Sequence, residues 1–275
     1  MALVNEGARV LENACVGPRL YLMRLSSPLI AGSIKPGQFV HMRIPGMEGH
    51  ILRRPFSVYA RDAEAGTVDI LYQTVGEGSA HMAGLVPGQC GEAELIGPVG
   101  NAWSAPAGTD RALLVGGGVG AAPLYMLCGQ LVGEGVRVDV VLGAQTKDAL
   151  VCRDDYDAVL SAQPGEAGGP HPARCATDDG SFGRPGFCTS LSQEALDQAA
   201  AEGSPYDYVA VCGPEVLMGI VAHQALVADV PCQVSMERRM ACGVGACLSC
   251  VVETTGGKKR SCVDGPIFDA REVLW

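Results

Sequence analysis

The spacing of hydrophobic and polar positions changes character along the chain. Over the first hundred or so residues the apolar stretches are brief, at 38–44, 57–60, 67–74 and 91–96. Pro36-Gly37, Pro45-Gly46, Ala65-Gly66 and Pro87-Gly88 punctuate them. Short strands set off by such turn residues predict an antiparallel barrel or sandwich. One short helix is expected at 79–85, stopped by Pro87. From about residue 109 the apolar runs become nearly continuous. A strand at 112–115 leads through a glycine turn into a helical stretch from Pro123 to about Gly133, and a second strand follows at 136–142. Strand–helix–strand with strands buried on both faces predicts a parallel sheet. A later apolar strand at 208–212 ends in Gly213-Pro214 and precedes a helix at about 215–226. The Gly- and Pro-rich stretch 161–172 reads as a surface loop. The expected fold class is thus α/β plus all-β: an N-terminal antiparallel β-barrel over 1–107, a parallel α/β domain over 108–230 and a small C-terminal cysteine module over 231–275.

Length and charge narrow the picture. A chain of 275 residues can bury a substantial core and holds two or three small domains. A net charge of −10, with no basic run, argues against nucleic acid as a partner. The first residues show no basic segment followed by an apolar one, so no signal peptide is read. The 12 cysteines are then expected in a reducing, cytoplasmic compartment rather than in disulfides. Residues 112–129 carry no charge over a length near that of a membrane span. Gly116, Gly117, Gly118, Gly120 and Pro123 interrupt them, and the segment reads better as strand, turn and helix than as a span.

Four cysteines carry the sharpest chemistry. Cys242, Cys247, Cys250 and Cys262 stand in the order C-x4-C-x2-C-x11-C, the plant-ferredoxin-like spacing that grips a [2Fe–2S] cluster. Three come from one tight loop, and the fourth returns after an expected hairpin. Gly243 and Gly245 suit a loop whose backbone must wrap an inorganic core. Structural zinc is the alternative, although zinc ribbons pair two C-x2-C knuckles and only one is present here. Most of the other eight cysteines read as small buried hydrophobes.

Further motifs point to nucleotides. Gly116, Gly117, Gly118 and Gly120, followed by Pro123, lie where a strand ends and a helix begins, as a dinucleotide pyrophosphate requires. A tight turn without ligand is the plainer reading. No acidic residue stands clearly about twenty positions on; Asp139 is near that spacing but falls within a strand. Arg53 and Arg54 form an arginine fork suited to a diphosphate, with Pro55, Phe56 and Ser57 leading into a strand; solvated arginines are the alternative. Gly76-Glu77-Gly78-Ser79 precedes the short helix, with Ser79 expected as its N-cap. Cys212, Gly213 and Pro214 end a strand at the carboxyl edge of the parallel sheet, where ligands bind in such folds, though Cys212 also reads as a core residue. The five histidines are scattered singly and offer no general acid–base centre.

Taken together, Arg-Pro-Phe-Ser at 54–57, Gly-Glu-Gly-Ser at 76–79, Gly-Pro-Val-Gly-Asn at 97–101 and the glycine run at 116–124 resemble the ferredoxin–NAD(P) reductase superfamily. Thr-Asp-Asp-Gly-Ser at 177–181, Cys-Gly-Pro at 212–214, the cysteine block 235–250 and Cys-Val-Asp-Gly-Pro-Ile-Phe at 262–268 narrow the resemblance. Those segments are similar to the electron-transfer subunits of NAD-dependent (class 1B) dihydroorotate dehydrogenases, over nearly the whole chain. The resemblance implies FAD between the barrel and the nucleotide domain, touched by Arg54, Pro55, Phe56, Ser57, Leu71, Tyr72, Gln73, Gly78 and Ser79. It implies NAD over the turn 116–120, and a [2Fe–2S] cluster as the third group. It further implies a separate FMN-bearing catalytic subunit, in a heterotetramer of two such pairs, with this chain passing electrons to NAD in pyrimidine biosynthesis. The loop 161–172 is longer than such relatives suggest. Gln145 stands where relatives that favour a 2′-phosphate place an arginine, which tilts the expectation to NAD over NADP. An NAD(P)H-linked subunit of a hydrogenase, sulfur reductase or transhydrogenase is the sister reading, and a non-redox zinc module is an alternative of another class.

Overall fold

A computed structural model describes residues 3–163 and 171–275. Residues 164–170, the middle of the expected loop 161–172, lie outside the described residues. The chain divides into two compact units, Met1–Ala102 with Met236–Ile267, and Trp103–Ser235 with Phe268–Trp275.

The first unit contains β1 (Val4–Gly17), β2 (Leu20–Ser26), α1 (Pro28–Ala31), β3 (Phe39–Arg43), β4 (Arg54–Ser57), β5 (Ala60–Asp62), β6 (Thr67–Gln73), α2 (Glu77–Ala83) and β7 (Ala93–Val99). These strands form one antiparallel sheet in the order β4-β3-β7-β1-β2-β6-β5. The chain runs from β4 at one edge straight to β5 at the other, and the Tyr59 N–H donates to the Asp69 carbonyl of β6. Phe56 of β4 meets Tyr72 of β6 edge-on, ring centroids 6.1 Å apart. The sheet therefore closes into a barrel, which removes its exposed edges.

Alternation along β3 is decisive for the site. Val40 and Met42 turn into the barrel core, while Phe39 and His41 face outward yet are equally buried. They are covered by the cysteine segment, which belongs to the same unit. The long hairpin β1–β2 is not evident in the apolar pattern, because Asn5, Glu6, Arg9, Glu12 and Asn13 fill β1 with polar groups. Only one side of that strand is buried.

The second unit contains β8 (Arg111–Gly117), α3 (Ala122–Gly133), β9 (Arg137–Ala144), α4 (Arg153–Leu160), β10 (Arg174–Thr177), β11 (Arg184–Pro185), α5 (Thr189–Ala201), β12 (Tyr208–Cys212), α6 (Glu215–Val227) and β13 (Cys232–Ser235). After it come the hairpin β14 (Val251–Thr254) and β15 (Gly257–Arg260), and then β16 (Ile267–Asp269). The second sheet has the order β11-β10-β9-β8-β12-β13-β16. Its pairs from β9 through β13 are parallel. Chain order reverses between β8 and β12, which makes their carboxyl ends the switch point of a doubly wound sheet. No helix among the described residues is long and apolar enough to cross a membrane; the uncharged run 112–129 is β8, a turn and part of α3.

Candidate functional site

The cysteine segment is built by its hairpin. β14 and β15 pair with Val251 opposite Arg260, and the Ser261 N–H donates to the Cys250 carbonyl. This brings Cys250, just before that pair, next to Cys262, two residues after it. Their sulfurs lie 3.3 Å apart, both buried against Phe39 and Val99. The preceding loop is folded by left-handed backbone at Gly243 (φ 67°) and Gly245 (φ 82°), which glycine adopts without a Cβ penalty. A Cβ on Gly245 would stand 2.7 Å from a Val263 side-chain methyl, so packing against that side chain also disfavours one there.

This loop sets Cys247 beside Cys242 and Ser249. Hydrogen bonds from Ser249, and then Cys242, pull the exposed Cys247 thiol down to about 6. Burial, and then Cys250, push Cys262 up to about 12. Among the described residues no three His, Cys, Asp or Glu side chains converge on one ion position. The sulfurs fall instead into two pairs, Cys242 with Cys247 and Cys250 with Cys262. Two thiolates for each of two irons is what a [2Fe–2S] core takes, so the residues fit that group. All 12 cysteines are free thiols.

The barrel supplies a second candidate site. Gly78 sits in the first turn of α2, where a Cβ would stand 3.2 Å from Arg54 Nε. Its lack of a side chain thus leaves room for the guanidinium at the helix start, a cradle suited to a diphosphate. The partner expected in the arginine fork is not available, since Arg53 donates to the Glu94 carbonyl at 2.8 Å and to its carboxylate at 2.7 Å. Ser79 is not the N-cap. That position is Gly76, and Ser79 lies three residues on, where its hydroxyl accepts the Val75 and Gly76 N–H groups at 2.9 and 3.2 Å. Pro55, Phe56 and Ser57 are half-buried along β4. Leu71 and Tyr72 are buried on β6 and Gln73 half-buried at its end. The structure brings Arg54 to Gly78 and Phe56 to Tyr72; Leu71 and Gln73 neighbour Tyr72 along β6.

The glycine turn lies at the switch point of the second sheet. Gly118 has φ 58°, and a Cβ on it would meet open space. Gly117 and Gly120 have a tighter reason. A Cβ on Gly120 would stand 2.6 Å from Gly213 Cα, and one on Gly117 2.7 Å from Leu217. The turn after β8 and the Cys212-Gly213-Pro214 turn after β12 therefore cross at backbone contact. Cys212 itself is buried. A small cleft beside Gly118 is lined by Ala121, Leu142, Gly143, Leu150 and Cys152. Asp139 is not at this end of the sheet. It pairs opposite Leu113 on β8 and accepts from Arg111 at 3.0 Å and from the Tyr206 hydroxyl at 2.7 Å.

Sequence reasoning passes over His41. Its two ring nitrogens are the only buried side-chain N or O atoms without a hydrogen-bond partner among the described residues. The signal available was a histidine within the apolar run 38–44.

An antiparallel barrel, a doubly wound nucleotide sheet and a four-cysteine loop define a ferredoxin-reductase-like fold with an iron–sulfur module. Sequence profiles for an oxidoreductase FAD-binding domain, an oxidoreductase NAD-binding domain and the iron-sulfur cluster binding domain of dihydroorotate dehydrogenase B match residues 10–103, 114–223 and 237–274. The chain is 38% identical to the dihydroorotate dehydrogenase B (NAD(+)) electron transfer subunit of Bacillus caldolyticus, covering 98% of both chains. It is 34% identical to that of Desulforamulus reducens, over 98% of this chain and 97% of the other. The chain belongs to this family of electron transfer subunits, and FAD, an iron–sulfur cluster and NAD are its cofactors. Among solved structures it is similar to an NADH-dependent reduced ferredoxin–NADP oxidoreductase, at 28% identity and a TM-score of 0.82, over 98% of this chain and 90% of that one. A ferredoxin reductase of carbazole 1,9a-dioxygenase shares the fold, at 21% identity and a TM-score of 0.66 over 84% of this chain and 68% of that one.

Proposed function

We propose that this chain links an FMN-bearing dihydroorotate dehydrogenase catalytic subunit to NAD+ in pyrimidine (UMP) biosynthesis, in a cytoplasmic heterotetramer of two such pairs. The observation that carries the reading is the pairing of Cys242 with Cys247 and of Cys250 with Cys262, in the same unit as the Arg54–Gly78 cradle. The four cysteines are the ligands of the cluster. Arg54 and the start of α2 hold the FAD diphosphate, while Pro55, Phe56, Ser57, Leu71, Tyr72, Gln73 and Ser79 line its site. Gly116, Gly117, Gly118, Gly120, Cys212, Gly213 and Pro214 form the floor for NAD. Held in these sites, the cluster would supply one-electron transfer and FAD the exchange between single electrons and the hydride of nicotinamide. The chain is matched by FAD-, NAD- and cluster-binding domains, and oxidation of dihydroorotate is assigned to the partner.

The test is co-purification from the native host with anaerobic visible spectra. An FMN-bearing subunit that accompanies the chain, with flavin and cluster bands bleached by dihydroorotate, is the expected result. The likeness to a ferredoxin–NADP oxidoreductase favours one second reading, with the same cofactors and a hydrogenase, sulfur-reductase or transhydrogenase partner. Bands reduced by NADH but indifferent to dihydroorotate would select it.

A further inference from the structure

His41 lies on the outward face of β3, 1% exposed. A Cβ built on Gly243 would stand 2.7 Å from its Nδ1 and 3.0 Å from its Cγ, so the imidazole ring packs directly beneath the residue that follows Cys242. Phe39, two positions earlier on the same face, packs against Cys250 and Cys262. β3 therefore forms the floor of the four-cysteine segment, and His41 is a buried polar side chain on that floor, whereas Arg43, next on the same face, is exposed. Neither ring nitrogen has a partner. A buried N–H is seldom left unmade in a folded protein, and an orphaned one calls for a group absent from the polypeptide.

Whatever its protonation state, an imidazole keeps at least one N–H to donate. The acceptors that a four-thiolate site offers here are sulfurs, and they gain negative charge when the cluster is reduced. Hydrogen bonds to such sulfurs favour the reduced form and raise the potential.

We propose that the His41 N–H donates to a sulfur of the iron–sulfur centre held by the four cysteines, and that this bond sets the centre's reduction potential. His41 is a positioning residue: it binds no iron and transfers no electron. The inference rests on the iron–sulfur reading of the cysteine segment, and the experiment separates the two.

The intact FAD- and cluster-loaded protein is produced with 15N-histidine, reduced, and studied by pulsed EPR. Potentiometric titrations are run on wild type, His41→Leu and His41→Asn. Absence of any [2Fe–2S] signal in loaded wild type overturns the cysteine reading itself. Given that signal, a histidine 15N coupling that disappears in His41→Leu is expected. So is a reduction equilibrium shifted about tenfold toward the oxidised form, ~59 mV lower for one electron. His41→Asn, which restores an amide N–H, should recover part of the shift. A wild-type spectrum without histidine coupling overturns the inference even if His41→Leu fails to fold. An unchanged potential in a folded His41→Leu protein overturns it as well.

Discussion

Asn101 and Ile267 exchange two hydrogen bonds through a single side chain. The Asn101 amide donates to the Ile267 carbonyl at 2.8 Å, and its oxygen accepts the Ile267 N–H at 2.9 Å. The Asn101 backbone N–H also donates to the Gly265 carbonyl at 2.6 Å. One amide thus imitates a strand neighbour and ties the end of the cysteine segment to the chain after β7, three residues beyond Pro98. Asn101→Ala leaves the buried Ile267 with unmade backbone bonds, at a cost of about 1–3 kcal/mol. The expected outcome is a lower denaturation midpoint and faster bleaching of the cluster by an iron chelator. Equal bleaching rates in mutant and wild type would show that this tie does not hold the segment.

Arg53 is engaged by Glu94, whereas Arg54 donates to the Leu52 carbonyl and lies beside Gly78 at the start of α2, which makes Arg54 the arginine proposed for a diphosphate. Arg54→Ala should weaken FAD binding by about 2 kcal/mol, roughly thirtyfold, the worth of a charge-assisted hydrogen bond. Flavin absorbance relative to protein after exhaustive dialysis reads this out. Full occupancy in the mutant would move the diphosphate away from α2. Arg53→Ala should instead reduce stability and leave flavin affinity within a few-fold.

The spacing of Asp139 from the glycine turn invites a ribose-binding role, and the structure assigns it a structural one. Its carboxylate faces the nearly buried guanidinium of Arg111, which also lies 4.5 Å from the Tyr206 ring centroid. Removing the charge leaves the nearly buried Arg111 cation with the more distant Glu202 carboxylate at 3.7 Å as its partner, so Asp139→Asn should cost on the order of 2–3 kcal/mol of stability. The affinity for NADH, measured by quenching of its fluorescence, should stay unchanged. Weaker NADH binding at undiminished stability would return Asp139 to the nucleotide site.

These cases show where sequence reading reaches and where it stops. The four-cysteine loop is readable because coordination chemistry fixes both residue type and spacing, and the parallel strands because burial on both faces leaves them apolar. The glycine run is readable as a turn, but the reasons for its members are not. Gly118 needs a left-handed backbone, whereas Gly120 must lack a Cβ because the strand end at Gly213 crosses it, a partner 93 residues away. β1 is hidden by its polar face, and Ser79 is displaced from the cap because its hydroxyl reaches back from inside the helix. His41 looks like an ordinary core histidine until its missing partners are seen.

His41 also gives the protein an acid limit. Its pKa is about 4 in the folded chain against 6.5 when unfolded. The unfolded chain therefore binds the extra proton between those values. The contribution to stability is complete above about 6.5 and is lost as pH falls toward 4. Between pH 7 and pH 5 this amounts to about 2 kcal/mol. Denaturant midpoints of His41→Asn should fall less over that interval than those of wild type. Parallel acid limbs in the two proteins would show that the ring is protonated in the folded state.

Cys247 separates the two cofactor sites. It is exposed, apart from its contacts with Ser249 and Cys242, so Cys247→Ser disturbs little of the packing that holds Cys250 and Cys262 against Phe39. The hydroxyl is a poor ligand for iron, and cluster content should fall to a small fraction of wild type. The barrel strands that carry Arg54 and Tyr72 do not depend on that thiol. NADH-driven reduction of an artificial dye through FAD should therefore persist at near wild-type rates, while reduction of NAD+ by dihydroorotate in the assembled complex drops by orders of magnitude. Loss of dye reduction in a folded, flavin-loaded mutant would mean that the cysteine loop also shapes the flavin site.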